Sequence, residues 1–416
     1  MKRILAACVA ASALAASPGF AACKVTVGVV MSLTGPAGAY GQAGAKSVEM
    51  AFRDLNEAGA ACTLTAETRD AQSQGTVAVD AAKQLVEISH VPAIIGGIIS
   101  SVSIPVLTAV TAPAKVVQVS PASSSPTLTE LGRQGKTNGI FFRTITSDAL
   151  QGVAAARYAL DVGLKKLAII QVNNDFGANM TKEFAAAYKA LGGTIVSITP
   201  YNEKAASYDA EVTAAMQGDP DGLYLISYPV DGATIARAWI SKGGPRRFLL
   251  NDGMNSGDFI SAVGARYLDD AYGTSSGTED SASTQYFNQN YKTFSGLDPG
   301  SPAAVQAYDA GALVGLAVAA TGKTDSAAIR AGMYTVTDPN GEAVTAGPDG
   351  FRHALALLKE GKAIRYVGVI GPIHFDQYGD ITGPFRLWQI KAGQVVTKGT
   401  LSTADVDKLR AQIAAK

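Results

Sequence analysis

Short apolar runs alternate with stretches of helical periodicity along most of this chain, and that alternation leaves few folds open. "KVTVGVV", "TLTAET", "PAIIGGI" and "KVVQVS" form a first set of such runs, and "KLAIIQV", "GTIVSIT", "DGLYLIS" and "RRFLLN" a second, after the polar stretch "RQGKTNG". A strand that is apolar along its whole length is covered on both faces, and the helical segments between the runs are the crossovers that cover it. The expectation is α/β with parallel sheets.

The two sets follow one plan. In the first, a strand leads to Tyr40-Gly41 and a helix; in the second, a strand leads to Phe176-Gly177 and a helix. Open α/β sheets hold ligands beyond the carboxyl ends of their strands. Two facing halves would therefore enclose a cleft with an aromatic ring on each wall. Ser100, Ser101 and Ser123 to Ser125 also follow strands in the first half, as Tyr228 and Asp252 do in the second. Hydroxyls and helix N-termini on one wall suit a carboxylate, and Asp252 on the other suits an ammonium, so the pattern fits a dipolar ligand. Taken singly, each residue has a plainer reading: a serine there is often a helix cap, a tyrosine packs, and "ND" before Gly253 is a common turn.

Lys2 and Arg3, the apolar run Ile4 to Ala16 and the small residues up to Ala21 have the order of a secretory leader, so 1–21 are set apart as a signal peptide. The rest is long enough for two or three domains. With 35 basic and 35 acidic residues, no charge excess argues for nucleic acid or an anionic membrane surface. The apolar stretch Ala310 to Ala320 is too short to span a bilayer and reads as a buried helix. Cys23 and Cys62 precede "KVTVGVV" and "TLTAET" at matching points. If those strands are parallel neighbours, a disulfide follows; lipid attachment at Cys23 and free thiols are the competing readings.

Gly35, Gly38 and Gly41 match neither the dinucleotide nor the P-loop spacing, which weighs against a phosphate site. "GTSSG" fits the nucleophile pattern around Ser275, with His353 and His374 in a suitable order, but "TEDSAST" is a poor start for the helix that a nucleophile elbow needs. No spaced His/Cys cluster supports a metal, no cofactor is expected, and an enzyme is not.

"VGVVMSLTGPAGAYGQAGAKSVEMAFRDLNEAG", "RDAQSQGTVAVDAAKQLV", "IIGGIISSVSIPV" and "VSPASSSPTLTE" resemble the periplasmic branched-chain amino-acid (leucine/isoleucine/valine-type) substrate-binding proteins of ABC transporters. The resemblance implies the type I fold, two doubly wound parallel-sheet lobes joined by three hinge crossovers that close on a ligand. It places the first lobe at 23–143 plus 277–338 and the second at 144–276 plus 339–416. It also implies that Ser100, the backbone at Ala122 and the Ser124 hydroxyl take a carboxylate, and that Asp252 takes an ammonium. Tyr40, Phe176 and Tyr228 would wall the pocket, with Ile99 and Ser123 beside them. Phe176 stands where tyrosine is common.

The implied setting is a periplasmic monomer that delivers its ligand to an ABC permease and its ATPase. No Arg falls on a matched pocket position, so a neutral, hydrophobic amino acid is expected. The alternatives are an aromatic or other carboxylate lacking an amine, a sensor lobe for a receptor, and a secreted hydrolase using Ser275.

Overall fold

The computed structural model describes residues 23–414; the expected signal peptide, 1–21, lies outside them. Ten strands build two parallel sheets. The first holds β1 (Lys24–Met31), β2 (Thr63–Asp70), β3 (Ala93–Gly96), β4 (Val117–Ser120) and β5 (Phe141–Arg143) in the order β2-β1-β3-β4-β5. The second repeats that order with β6 (Lys166–Val172), β7 (Thr194–Tyr201), β8 (Gly222–Ile226), β9 (Arg247–Leu250) and β10 (Asp270–Ser276). Central strands β3, β4 and β8 are buried at every residue, whereas edge strands β2 and β7 are mostly half-exposed. Solid apolar runs thus mark the sheet centres, as crossover helices on both faces require.

The repeated plan has a steric basis. A Cβ at Gly41 would lie 2.0 Å from the Ser32 carbonyl oxygen, and one at Gly177 would lie 2.0 Å from that of Val172. In both lobes the helix after the first strand folds back onto the strand's last carbonyls, and only glycine leaves room. That brings the preceding aromatic, Tyr40 or Phe176, to the end of the sheet.

β1 and β2 pair in register from Lys24↔Thr63, so the residues before them are neighbours. Cys23 and Cys62 form a disulfide with Cα atoms 4.4 Å apart. The helix Ala304–Thr321 packs along the helix Gly38–Glu57 and is buried through most of its length. It is a core helix of the first lobe, and longer than the apolar stretch that announced it.

Where the segment 339–375 packs differs from the expectation. The small sheet of β11 (Glu342–Thr345), β12 (Ile364–Gly368) and β13 (Gly371–Pro372), with the helix Pro348–Lys359, sits on the first lobe. Its anchor is Asp309, a wholly buried carboxylate on the helix Ala304–Thr321. Asp309 accepts hydrogen bonds from the Val369 and Ile370 amides at 2.8 and 2.9 Å and from the Tyr366 hydroxyl at 2.9 Å. Burial pushes the Asp309 pKa up to about 7. The chain reaches the second sheet only at β14 (Phe385–Lys391), which runs antiparallel to β10 and pairs in turn with β15 (Gln394–Leu401). The turn "DQYGD" lies on a crossover between the lobes, and one residue beyond it, Ile381, bridges to Thr146 on the first crossover.

The disulfide closes a loop between cysteines 39 positions apart, and a constraint of that length on the unfolded chain is worth about 4 kcal/mol. The Cys23→Ser/Cys62→Ser double variant should lose about that much in urea unfolding with the m-value little changed. A loss below about 1 kcal/mol would show that the bridge contributes little.

Candidate functional site

Strand order reverses between β1 and β3 in the first sheet and between β6 and β8 in the second. Loops leaving a parallel sheet at such a point diverge to opposite faces and leave a crevice. Tyr40 follows β1 and Ser100 follows β3; Phe176 follows β6 and Tyr228 follows β8. The expected residues Tyr40, Ile99, Ser100, Ala122, Ser124, Phe176, Tyr228 and Asp252 all line one cleft between the lobes, together with Ile98. The lobes meet beside it: the Thr127 hydroxyl donates to Asp175 Oδ1 at 2.9 Å, and Asn179 Nδ2 to Ser125 Oγ at 3.3 Å.

On the first wall, Ser100 opens the helix Ser100–Val106, and its hydroxyl accepts from the Ser125 amide at 3.2 Å. Ser123 does not join the cleft lining. Its hydroxyl is turned into the first lobe, 2.6 Å from the Ser103 hydroxyl, and its carbonyl accepts from Arg143 at 3.2 Å. Of the three consecutive serines, Ser124 faces the cleft and Ser125 caps the helix Pro126–Arg133.

The second wall is aromatic. Phe176 and Tyr228 stack with centroids 5.9 Å apart, and Tyr40 meets Tyr228 edge-on at 6.5 Å. Asn174 holds this wall together: its carbonyl caps the helix Asp175–Ala190 at the Gly177 amide, while its amide nitrogen donates to the Tyr228 hydroxyl and to Glu203. Asp252, in the short turn after β9, is partly buried and accepts from Asn251 Nδ2 at 3.3 Å; burial raises its pKa.

Asp148 was not legible as a site residue. It follows the helix-capping Ser147 and reads as an ordinary acid in a first helical turn. In the fold it is wholly buried, its amide donates to the Ser124 carbonyl at 2.9 Å, and neither carboxylate oxygen completes a hydrogen bond. Burial, reinforced by the negative charge of Asp252, holds the Asp148 pKa well above the carboxylate range. Of the two acids, Asp252 lines the small space of the cleft, and Asp148 is buried away from it, near enough for their charges to interact.

That space is about 10 Å3 where the aromatic and serine walls converge. Through Tyr40, Ala122 and Asp252 it adjoins a chamber of about 170 Å3. Arg386, on β14, lines this chamber. No arginine lines the cleft itself, and Arg386 enters through the adjoining chamber, at a position outside those matched to the family's pocket. In sequence, Arg386 reads as a solvent-facing residue of an alternating strand, because only the antiparallel pairing of β14 with β10 turns it toward the cleft.

Ser275 lines the same chamber but is no elbow nucleophile. It lies within β10, the next helix starts only at Ala282, and no histidine reaches it. His353 pairs with Glu342 at 3.0 Å, and His374 contacts the Thr337 carbonyl at 3.2 Å.

The chain matches the sequence family described as "Periplasmic binding protein" over residues 24–394. The Leu/Ile/Val-binding protein BraC3 of Rhizobium johnstonii is 27% identical over 379 residues, covering 89% of this chain and 93% of that protein. Among solved structures, the leucine binding protein LivK of Thermotoga maritima superposes with a TM-score of 0.77 at 22% identity, covering 92% of this chain and 99% of that one. A solute binding protein of an R. palustris ABC transporter, in complex with 4-hydroxybenzoate, has a TM-score of 0.74 at 19% identity over 91% of this chain and 97% of its own. With two lobes of one strand order facing across a cleft, and a family match over nearly all of its described length, the chain belongs to the periplasmic binding protein family.

Proposed function

We propose that the protein captures a small α-amino acid between its lobes, outside the cytoplasmic membrane, and that its closed form is read by the permease of an ABC importer. One observation carries this reading: hydroxyls at Ser100 and Ser124 and the carboxylate of Asp252 share a single cleft from opposite lobes. A zwitterion would span them. Its carboxylate would meet Ser100, Ser124 and the Ala122 backbone, and its ammonium would meet Asp252. Closure follows thermodynamically, because only the closed arrangement offers both partners at once. No bond is broken.

The buried Asp148 sharpens the electrostatics. Carboxylates with raised pKa values accept a cation readily, since an ammonium returns the solvation that burial removed. The family, the leader at 1–21 and the disulfide suit a periplasmic setting, where thiols are oxidised. The Leu/Ile/Val-binding relative supports amino-acid capture.

A second reading is an aromatic carboxylate without an amine. The stacked Phe176 and Tyr228 rings favour it, as does the 4-hydroxybenzoate complex of the R. palustris neighbour.

Isothermal calorimetry against amino acids and benzoates separates the two. If the ligand is an amino acid, Asp252→Asn should weaken it at least about tenfold, or about 1.4 kcal/mol. An Asp252→Asn variant that binds its preferred compound unchanged would transfer the assignment to the amine-free acids. Asp148 gives a pH test. Its raised folded-state pKa means that it favours folding below the ordinary carboxyl value of about 4, and that this contribution is lost as the pH rises. Ligand-free Asp148→Asn should therefore melt higher than the parent protein at pH 7, with a smaller gain at pH 4; an equal or lower melting temperature at pH 7 would contradict this.

A further inference from the structure

The 170 Å3 chamber beside the amino-acid cleft contains chemistry that the reading so far leaves unused. Arg386 has no acidic partner within ion-pair distance among the described residues, and its Nε is buried without a hydrogen bond. Burial, with no neighbouring carboxylate opposing it, holds its pKa below the ordinary guanidinium value. Arg386 is half-buried, so its guanidinium is partly desolvated without a counter-charge, and an anion entering the chamber would supply one.

A nearby polar atom shares this condition. Arg386 lies directly opposite Ser275 in the β10–β14 pairing, so the two side chains emerge on one face of the sheet. The Ser275 hydroxyl is likewise buried without a partner, and Ser275, Ser276 and Gln306 line the chamber. Ser275 and Ser276 belong to the second lobe and Gln306 to the first, so an occupant would touch both.

The chamber and the cleft share Tyr40, Ala122 and Asp252. A ligand whose head is held at Ser100 and Asp252 can therefore run its side chain into the chamber. The volume is close to the roughly 150 Å3 of cavities that admit a benzene-sized molecule, which is ample for a short side chain.

We propose that this chamber is a second subsite for an oxyanion, and that the preferred ligand is an α-amino acid whose side chain ends in a carboxylate received by Arg386. The proposal rests on the amino-acid reading above and replaces the neutral, hydrophobic ligand expected from sequence. A guanidinium can hold a carboxylate through two parallel hydrogen bonds, and the Ser275 hydroxyl, on the same face of the sheet, can donate to the same oxygens. An uncharged aliphatic side chain would leave the half-buried Arg386 without a counter-charge, so the site discriminates against it.

Calorimetry of the mature protein with L-glutamate, L-aspartate, L-glutamine, L-leucine and benzoate tests this, using the parent protein, Arg386→Gln, Arg386→Lys and Asp252→Asn, each checked for an unaltered melting profile. The expected result is a preference of at least about tenfold for an acidic amino acid over glutamine and leucine. Arg386→Gln should collapse that preference, and Arg386→Lys should retain part of it. If leucine or glutamine binds more tightly than either acidic amino acid, and Arg386→Gln leaves the order unchanged, the oxyanion subsite is wrong while amino-acid capture stands. If only benzoate binds, indifferent to Asp252→Asn, the amino-acid reading fails and this inference fails with it.

Discussion

One buried cation organises the junction on which the cleft depends. Arg143, wholly inaccessible at the end of β5, pairs with Asp380 at 2.6 Å and donates to the Ser123 and Ser125 carbonyls at 3.2 and 3.0 Å and to the Thr129 hydroxyl at 2.8 Å. A guanidinium in such a place requires nearly every donor to be matched, and here the matches come from two crossovers and from the serine loop. The same side chain therefore fixes the path of the chain between lobes and the backbone from which Ser124 faces the cleft. Removing either member of the Arg143–Asp380 pair would leave the other buried and charged.

Much of the architecture was readable because parallel strands covered on both faces leave an unambiguous mark. The eight runs picked out by apolarity are strands, and the aromatic-glycine pairs sit where the two lobes repeat one another. β5 and β10 escaped notice. β10 carries "GTSS", whose small polar residues look like a loop, but its backbone is paired on both sides, with β9 and with β14. The fate of 339–375 was illegible for a different reason: contacts far apart in sequence, the buried Asp309 carboxylate among them, secure it to the first lobe, and no local pattern reports a contact made across 60 positions of chain.

The cleft shows the same division. Residues at strand ends could be named because topology alone brings strand ends together. Asp148 and Arg386 could not, since the first resembles a helix-start acid and the second a surface strand residue until helix and sheet are packed. Together they change the character of the site. The Asp252 carboxylate lines the cleft with Asp148 buried near it, the Arg386 guanidinium lines the adjoining chamber, and the aromatic rings lie alongside. The resulting field runs along the groove, so a ligand is selected by where its charges sit as well as by its bulk.

β14 has a bearing on biogenesis. It closes the open edge of β10 and delivers Arg386, and both services come from residues that follow every other strand of the two lobes except β15. A nascent polypeptide emerging amino end first can complete the first lobe's parallel sheet early, but it retains an unpaired, aggregation-prone β10 border until β14 arrives. Competence to hold cargo and protection from self-association are thus acquired in the same late step.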